Sequence, residues 1–190
     1  QPMFAEAVPT QKLKTIKEVP HQYQLLTTQA EVEALLPELL LQKEVCFDTE
    51  TTSLNELEAK IVGLALSWEV YKGYYILFPE DFDLARQWLS VLKLFFESTT
   101  ILKIGQNLKY DLKVLTNYGI EVRGQLFDTM IAHYLLNPDM RHNMDLLSEA
   151  YLGYTPIAID TLIGKKGKGQ LTMRAVPAEL QKEYAVEDTD

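Results

Sequence analysis

The sequence predicts an α/β domain in which helices flank a mixed sheet. Three runs of β-type residues follow one another between residues 45 and 78, and polar or glycine-containing turns separate them, which indicates a meander of strands. A helical pattern, one more short apolar run and a mostly helical remainder come after the meander. This order of elements is typical of an α/β domain with a mixed sheet.

The size and composition indicate one globular domain inside a cell. The chain has 190 residues, 47% of them hydrophobic, which is ample for a core. Residues 1–20 contain three prolines and no sustained periodicity, so we expect a linker or N-terminal arm there and the domain at residues 21–190. No apolar run reaches the roughly 20 residues of a membrane span, and the single cysteine agrees with a reducing compartment.

The first elements are a short strand and a capped helix. We expect the strand at Tyr23–Thr27. Thr28, followed three residues later by Glu31, forms a capping-box pattern that opens the helix, and Pro37 inside it should kink or shorten it. The apolar face of this helix is expected to consist of Val32, Leu35, Leu36 and Leu39.

The remaining elements are the meander, one later strand and several helices. The meander strands are expected at Val45–Asp48, Ile61–Trp68 and Tyr74–Phe78. A helix is expected over Asp83–Glu97, with Leu84, Trp88, Leu92 and Phe95 on one side. The later elements are a strand at Ile101–Ile104 and helices at Asn107–Tyr118, Asp128–Leu136, Met144–Tyr151 and from Pro177 onward.

The net charge of −9 argues against a protein that binds nucleic acid through a broad basic face. It does not exclude a nuclease, because enzymes that bind a strand end through metal ions need acidic residues at the site. The basic stretch at residues 164–169, GKKGKG, lacks the spacing of a nucleotide-binding P-loop. It is either a solvated loop or a rim that contacts phosphates, and the sequence leaves both open.

Two groups of acidic residues occupy positions suited to metal binding. Asp48 and Glu50 close the first meander strand, and side chains at i and i+2 of an extended segment point to the same side. Asp111 lies early in a helix, where the helix dipole alone can favour an acid. The polar residues beside it that can hold phosphates are Gln106, Asn107, Lys109 and Tyr110.

A third group lies near the end of the chain. Tyr184 and Asp188 are four residues apart, so on a helix they share a face, although such a pair alone is more often a surface pair. Four carboxylates brought together repel one another unless cations neutralise them. Oxygen ligands suit Mg²⁺ or Mn²⁺, and His21, His133 and His142 lack the spacing of zinc ligands, so we expect them at the surface or in packing.

These groups form three motifs that resemble those of a known family. The motifs are FDTETTSL (Phe47–Leu54), IGQNLKYDLKVL (Ile104–Leu115) and YAVEDTD (Tyr184–Asp190). In this order, with connecting segments FDTM, RHNMDLLSE and KGKGQLT, they resemble the proofreading exonuclease domains of bacterial DNA polymerase I, which belong to the tyrosine-bearing branch of the Asp-Glu-Asp-Asp exonuclease superfamily. The resemblance runs from about Tyr23 to the end of the chain.

The resemblance implies a ribonuclease H-like fold and a 3′-5′ exonuclease that works with two Mg²⁺ or Mn²⁺ ions. The implied metal ligands are Asp48, Glu50, Asp111 and Asp188, with Asp48 bridging both ions. Tyr184 and Glu50 would orient the attacking water, and Leu54 would pack against the terminal base. The residues implied to hold the last nucleotides by their backbone are Gln106, Asn107, Tyr110 and Arg141.

The same resemblance implies partners and a location. The substrate would be the 3′ end of single-stranded DNA, in the bacterial cytoplasm at the nucleoid. The polymerase domain of the same polypeptide would be the other partner, and we expect it to lie outside this chain, which ends just after the third motif. Two alternatives stay open, namely an exoribonuclease of the same superfamily and an inactive scaffold that braces a polymerase or binds a strand. Such scaffolds typically lose metal-binding carboxylates.

Overall fold

The computed structural model describes residues 12–167 and 169–190. Residues 1–11 of the expected arm and Lys168 of the basic stretch lie outside the described residues. Within this part of the chain there is one six-stranded sheet. Its strands are β1 (Gln22–Leu26), β2 (Glu44–Thr51), β3 (Ile61–Glu69), β4 (Lys72–Leu77), β5 (Leu102–Gly105) and β6 (Leu126–Asp128).

The sheet is mixed, as predicted. Its strand order is β1-β4-β3-β2-β5-β6. The pairs β2–β3 and β3–β4 are antiparallel, which confirms the predicted meander. The pairs β1–β4, β2–β5 and β5–β6 are parallel. Strand β2 therefore lies inside the sheet, with β3 on one side and β5 on the other.

Helices cover both faces of this sheet. They are α1 (Gln29–Leu39), α2 (Phe82–Val91), α3 (Lys93–Phe96), α4 (Leu108–Asn117), α5 (Thr129–Leu136), α6 (Met144–Leu147), α7 (Asp160–Ile163) and α8 (Ala178–Glu187). Short 3-10 turns occupy Ile16–Glu18 and Met173–Ala175, and a π-helical turn at Ser148–Leu152 continues α6. The predicted capping box is present, because the Glu31 backbone N–H donates to Thr28 Oγ1 over 3.3 Å. Helix α1 includes Pro37 and ends two residues later.

The prediction of one helix over residues 83–97 was wrong in two respects. The chain forms two helices there, which meet at Leu92, where ψ is 0°. Leu84 is exposed, and the buried side of α2 consists of Ala85 and Leu89. The apolar pattern pointed to the larger Leu84, whereas the small Ala85 is the residue that is buried in the core beneath the helix.

The main core lies between the sheet and helices α1 to α4. Alternate residues of β2 point to opposite faces, so Val45 and Phe47 enter this core. Ala185 and Val186 of α8 pack on the other face against Ala65 and Tyr75 of strands β3 and β4. Asp48 and Glu50, at the intervening positions of β2, therefore lie on the same face of the sheet as α8.

Removing the Phe47 side chain should destabilise the whole domain. Phe47 is fully buried, and its ring meets Phe96 edge-on at 5.3 Å between centroids. We expect Phe47→Ala to lower the free energy of unfolding by about 3–5 kcal/mol, measured by urea denaturation. The matched control is Leu41→Ala, because Leu41 is 82% exposed. A loss below about 1 kcal/mol for Phe47→Ala would contradict this description of the core.

Part of the expected arm, residues 12–20, contacts the domain. Lys14 forms a parallel bridge with Tyr154, with its backbone N–H donating to Gly153 and its carbonyl accepting from Thr155. The His21 ring contacts the Val19 carbonyl through Nδ1 and Glu183 through Nε2. The domain boundary at residue 20 stays a prediction.

Candidate active site

Strand β2 presents Asp48 and Glu50 beside small residues of β3. In the antiparallel register, Asp48 lies opposite Ala65 and Glu50 lies opposite Gly63. A Cβ atom at Gly63 would come within 2.0 Å of the Tyr75 hydroxyl, so this position has room only for glycine. The Tyr75 hydroxyl in turn donates to Gln181 Oε1 over 2.7 Å. The sheet surface under the carboxylates is thereby tied to α8.

Helix α8 approaches this surface closely and supplies Tyr184 and Asp188. A Cβ atom at Gly73 would lie 2.4 Å from Val186 Cγ1, so the approach depends on that glycine. Single carboxylate oxygens of Asp48, Glu50 and Asp188 lie within 4.8 Å of one another. Residues 140 positions apart in the chain thus meet at one point on the sheet. All three side chains are only partly exposed.

Asp111 is the fourth predicted carboxylate and the most buried, with 3% of its surface exposed. Its Oδ1 atom accepts a hydrogen bond from the Thr49 backbone N–H at 3.1 Å and another from the Thr49 hydroxyl. Asp111 therefore binds the β2 residue that lies between Asp48 and Glu50. It is not among the three carboxylates that lie within 4.8 Å of one another.

The start of α4 is fixed by Asp128, a residue for which the sequence predicted no role. Asp128 accepts hydrogen bonds from the backbone N–H groups of Asn107 at 3.2 Å and Leu108 at 2.8 Å. It also caps α5, accepting from Met130 N at 2.9 Å. Asn107 adopts the left-handed conformation, with φ +59°. Asp128 thus joins α4 and α5, and its position just before a helix was the available sequence signal.

The carboxylates strongly perturb one another. Burial raises the pKa of Asp48 well above its usual value, and the charges of Asp111, Glu50 and Asp188 raise it further. Burial, followed by repulsion from Asp111, raises the pKa of Glu50 to about 7. The pKa of Asp111 rises to about 6, mainly through burial. Burial also raises the pKa of Asp188 well above its usual value, with repulsion from Glu50 adding to it.

Tyr184 completes the cluster on the side of α8. Its half-buried ring packs against the apolar residues beneath α8. Burial raises the pKa of its phenol, and the charges of Asp188, Glu50 and Asp48 raise it further. The phenol therefore keeps its proton at neutral pH and is a hydrogen-bond donor beside the carboxylates.

The other predicted site residues form the surroundings of this cluster. Leu54 is 89% exposed, which excludes a place in the core. The Tyr110 hydroxyl donates to the Ser53 carbonyl over 2.5 Å and so holds the segment that presents Leu54. Gln106 Nε2 donates to the carbonyl of His142 over 2.7 Å, next to the exposed Arg141. Asn107 is also exposed.

The structure also brings together two of the histidines that we expected at the surface or in packing. His133 is buried, and its Nδ1 atom lies 2.6 Å from Nδ1 of His142. The Tyr151 hydroxyl lies 3.2 Å from His133 Nε2. No regular spacing in the sequence predicts this pair, because the contact between the two rings depends on how the segment after α5 folds back.

The donor set fits a hard divalent cation. The clustered carboxylates offer oxygen atoms only, the type of ligand that Mg²⁺ and Mn²⁺ prefer. Burial, with repulsion between the carboxylates in addition, raises the pKa values of Asp48, Glu50 and Asp188. A bound cation would offset this repulsion. In the part of the chain that the structure describes, no helix has both the length and the apolarity needed to cross a bilayer.

Comparisons with known proteins agree with this geometry. The sequence signature of the 3′-5′ exonuclease family matches residues 23–190. DNA polymerase I of Pseudomonas aeruginosa is 35% identical over 178 residues, which cover 88% of this chain and 19% of that protein. DNA polymerase I of Borreliella burgdorferi is 33% identical over 171 residues, which cover 88% of this chain and 18% of that protein.

Solved structures share the fold at lower identity. Escherichia coli RNase D, an exoribonuclease involved in structured RNA processing, superposes with a TM-score of 0.67 at 22% identity, over 88% of this chain and 41% of that one. Brucella melitensis NrnC bound to pGG superposes with a TM-score of 0.65 at 19% identity, over 93% of this chain and 75% of that one.

The mixed sheet and the structural likeness define a domain of the ribonuclease H-like fold class, with an acidic cluster on the face of the sheet that α8 covers. Within that class, the chain belongs to the 3′-5′ exonuclease family. The predicted fold and the resemblance to the exonuclease domains of DNA polymerase I are thereby confirmed. The chain spans about a fifth of the length of these curated relatives.

Proposed function

We propose that this domain hydrolyses the terminal phosphodiester at the 3′ end of single-stranded DNA, with two divalent cations bound at the acidic cluster. The observation that carries the proposal is the convergence of Asp48, Glu50 and Asp188 to within 4.8 Å, in a chain of the 3′-5′ exonuclease family. The buried Asp111 beside Thr49 supplies a fourth carboxylate. The position of Asp111 agrees with a metal ligand that lies at the edge of the three clustered carboxylates.

The roles of the residues follow from their positions. Asp48, Glu50, Asp111 and Asp188 would hold Mg²⁺ or Mn²⁺ through their carboxylate oxygens. When bound, such ions lower the pKa of an attacking water and stabilise the departing 3′ oxygen. Glu50 would accept a hydrogen bond from that water. Tyr184, whose phenol stays protonated, would be the second group that orients it.

The strand end would be held mostly through its backbone. Leu54, at 89% exposure, is free to pack against the terminal base. Gln106, Asn107, Tyr110 and Arg141 would contact the last nucleotides. Contacts to phosphates and sugars carry no sequence information, so hydrolysis would be independent of sequence, as removal of misincorporated nucleotides requires.

The relatives indicate a setting for this activity. DNA polymerase I of Pseudomonas aeruginosa matches this chain over only 19% of its own length, so the match is to one part of a longer protein. We infer that this domain edits for a polymerase domain of the same polypeptide, in a bacterial cytoplasm. The basic stretch, in which Lys165 and Lys166 are exposed, is either a solvated loop or a rim that contacts phosphates.

A comparison of DNA and RNA tests the substrate class. The domain is incubated with 5′-labelled single-stranded DNA and RNA of the same sequence, with Mn²⁺. We expect a ladder of DNA products and at least about tenfold slower degradation of RNA, which corresponds to ~1.4 kcal/mol of discrimination. Faster degradation of RNA would favour the exoribonuclease alternative. A domain that binds Mn²⁺ but shortens neither strand would favour the scaffold.

Tyr184→Phe tests the role of the phenol. Loss of one group that orients the water should lower kcat by roughly 10²-fold, because small errors in the position of a reacting group cost about that much. KM for DNA should stay within about twofold, since the phenol does not hold the strand. The control is Tyr74→Phe, because Tyr74 packs against the core on the opposite face of the sheet. Equal kcat values for Tyr184→Phe and the wild type would exclude this role.

A further inference from the structure

Helix α8 carries two further carboxylates that are not among the three clustered ones. Glu183 and Glu187 each precede a residue of the cluster, Tyr184 and Asp188 respectively, and they lie one turn apart. The Glu183 carboxylate lies 2.8 Å from Nε2 of His21. Each of these acids meets a partner from a distant part of the chain.

Glu187 has two partners, one at each oxygen. Its Oε1 atom accepts a hydrogen bond from the Tyr154 hydroxyl, and its Oε2 atom accepts one from the Ile157 backbone N–H at 2.6 Å. The segment that supplies both donors is itself fixed, because the backbone of Lys14 bonds to Gly153 and Thr155. Glu187 therefore joins the last turn of α8 to an anchored segment.

Electrostatic repulsion acts on the last turn of α8, which these hydrogen bonds hold in place. The C-terminal end of a helix carries partial negative charge and disfavours acids. Glu187 ends the helix and Asp188 caps it. Asp188 also lies against Asp48 and Glu50, which repel it. The repulsion from Asp48 and Glu50 pushes the end of α8 away from the sheet, and the hydrogen bonds of Glu187 to Tyr154 and Ile157 resist that movement.

We propose that Glu187 is a positioning residue, which through Tyr154 and Ile157 holds the last turn of α8 so that Asp188 and Tyr184 face Asp48 and Glu50. The inference rests on the proposed function, in which Asp188 is a metal ligand. The Glu187 carboxylate is not one of the three that lie within 4.8 Å of one another. Its effect is on the geometry of the ligand set and therefore on the affinity for the cation, beyond any contribution to folding.

The test compares Mn²⁺ binding and catalysis in matched variants. The variants are Glu187→Ala, which removes both acceptors, and Tyr154→Phe, which removes one donor and leaves Glu187 bonded to Ile157. The control is Glu179→Gln, on the exposed side of the same helix, where Glu179 pairs with Lys182 and the bonds of Glu187 are left in place. The Kd for Mn²⁺ is measured by calorimetry without DNA, together with the melting temperature in EDTA and with kcat and KM on single-stranded DNA.

We expect Glu187→Ala to raise the Kd for Mn²⁺ by about tenfold or more, as is usual when a partner that orients a metal ligand is lost. The kcat should fall, and KM for DNA should stay within about twofold. Tyr154→Phe should change the Kd and kcat in the same direction by a smaller factor, with a melting temperature close to that of the wild type. Glu179→Gln should match the wild type in every measurement.

A purely structural role predicts a different pattern. If Glu187→Ala lowers only the melting temperature, and its Kd and kcat equal those of the wild type, the proposal is wrong. If Glu187→Ala does not fold, a wild-type Kd in Tyr154→Phe overturns the proposal in its place. A wild-type domain that binds Mn²⁺ but leaves DNA intact would refute the proposed function, and the Kd values would still decide the role of Glu187. A wild type that binds no Mn²⁺ would overturn both.

Discussion

Replacing Asp48 by alanine is expected to abolish the metal-dependent shortening of single-stranded DNA while the domain stays folded. The Asp48 carboxylate is repelled by Asp111, Glu50 and Asp188 together, so it lies within reach of all three. An ion held by the cluster would lose its central ligand. We expect kcat to fall by about 10³-fold or more, a loss of roughly 4 kcal/mol of transition-state stabilisation.

The measurement is the initial rate on a 5′-labelled oligonucleotide with saturating Mn²⁺. The control distinguishes the loss of a carboxylate of the cluster from the loss of any one negative charge. Asp83→Ala removes an aspartate that lies on the exposed side of α2 and pairs with Arg86. This variant should keep the wild-type rate. A rate for Asp48→Ala within about threefold of the wild type would show that catalysis occurs elsewhere.

Metal-free stability is expected to fall as the pH rises, and Mn²⁺ should restore it. In the folded protein the pKa of Glu50 is about 7 and that of Asp111 is about 6, both above their usual values of 4.5 and 3.8. Between about pH 4 and pH 7 the folded state therefore binds more protons than the unfolded chain, and stability decreases as the pH rises through this window. At lower pH both states are protonated and the penalty is absent.

The size of this effect is measurable. For Glu50 alone, a rise in pKa from 4.5 to about 7 corresponds to a penalty on the order of 3 kcal/mol at pH 8. In a domain of this size that is about 5–10 °C in melting temperature. We expect the melting temperature in EDTA to fall by this amount from pH 5 to pH 8, and saturating Mn²⁺ at pH 8 to recover most of it.

A neutral variant provides the matched control. Asp188→Asn removes one of the repelling charges at nearly constant volume. It should melt at a higher temperature than the wild type in EDTA at pH 8 and lose most of the stabilisation by Mn²⁺. If instead the wild type melts at the same temperature in EDTA at pH 5 and pH 8, the carboxylates do not repel one another as described.

The part of the site that the sequence predicted depends on local periodicity. Asp48 and Glu50 share a face because strand residues alternate, and Tyr184 and Asp188 share one because they are a helical turn apart. Both spacings hold in the structure, where Asp48, Glu50 and Asp188 meet. The resemblance to a family connected these local groups, which periodicity alone does not do. The metal and DNA roles of these residues remain predictions.

The part that the sequence did not predict depends on contacts between distant residues. Glu187 meets Tyr154 across 33 positions, and His21 meets Glu183 across 162. No local pattern marks such pairs, because an acid on a helix is by default a solvated residue. Strand β6 has three residues, too few to show an alternating pattern. The break at Leu92 leaves the apolar pattern almost unchanged, so the sequence predicted one helix where there are two.

The direction and metal dependence of DNA cleavage decide whether this domain is a metal-dependent 3′-5′ exonuclease. A single-stranded oligonucleotide with a 5′ label is incubated with the wild-type domain, in Mn²⁺ or in EDTA, and the products are resolved at single-nucleotide length over time. We expect labelled products that shorten one nucleotide at a time from the 3′ end in Mn²⁺, and intact DNA in EDTA. Release of the label as a mononucleotide from the start, or equal cleavage in EDTA, would contradict the proposed function.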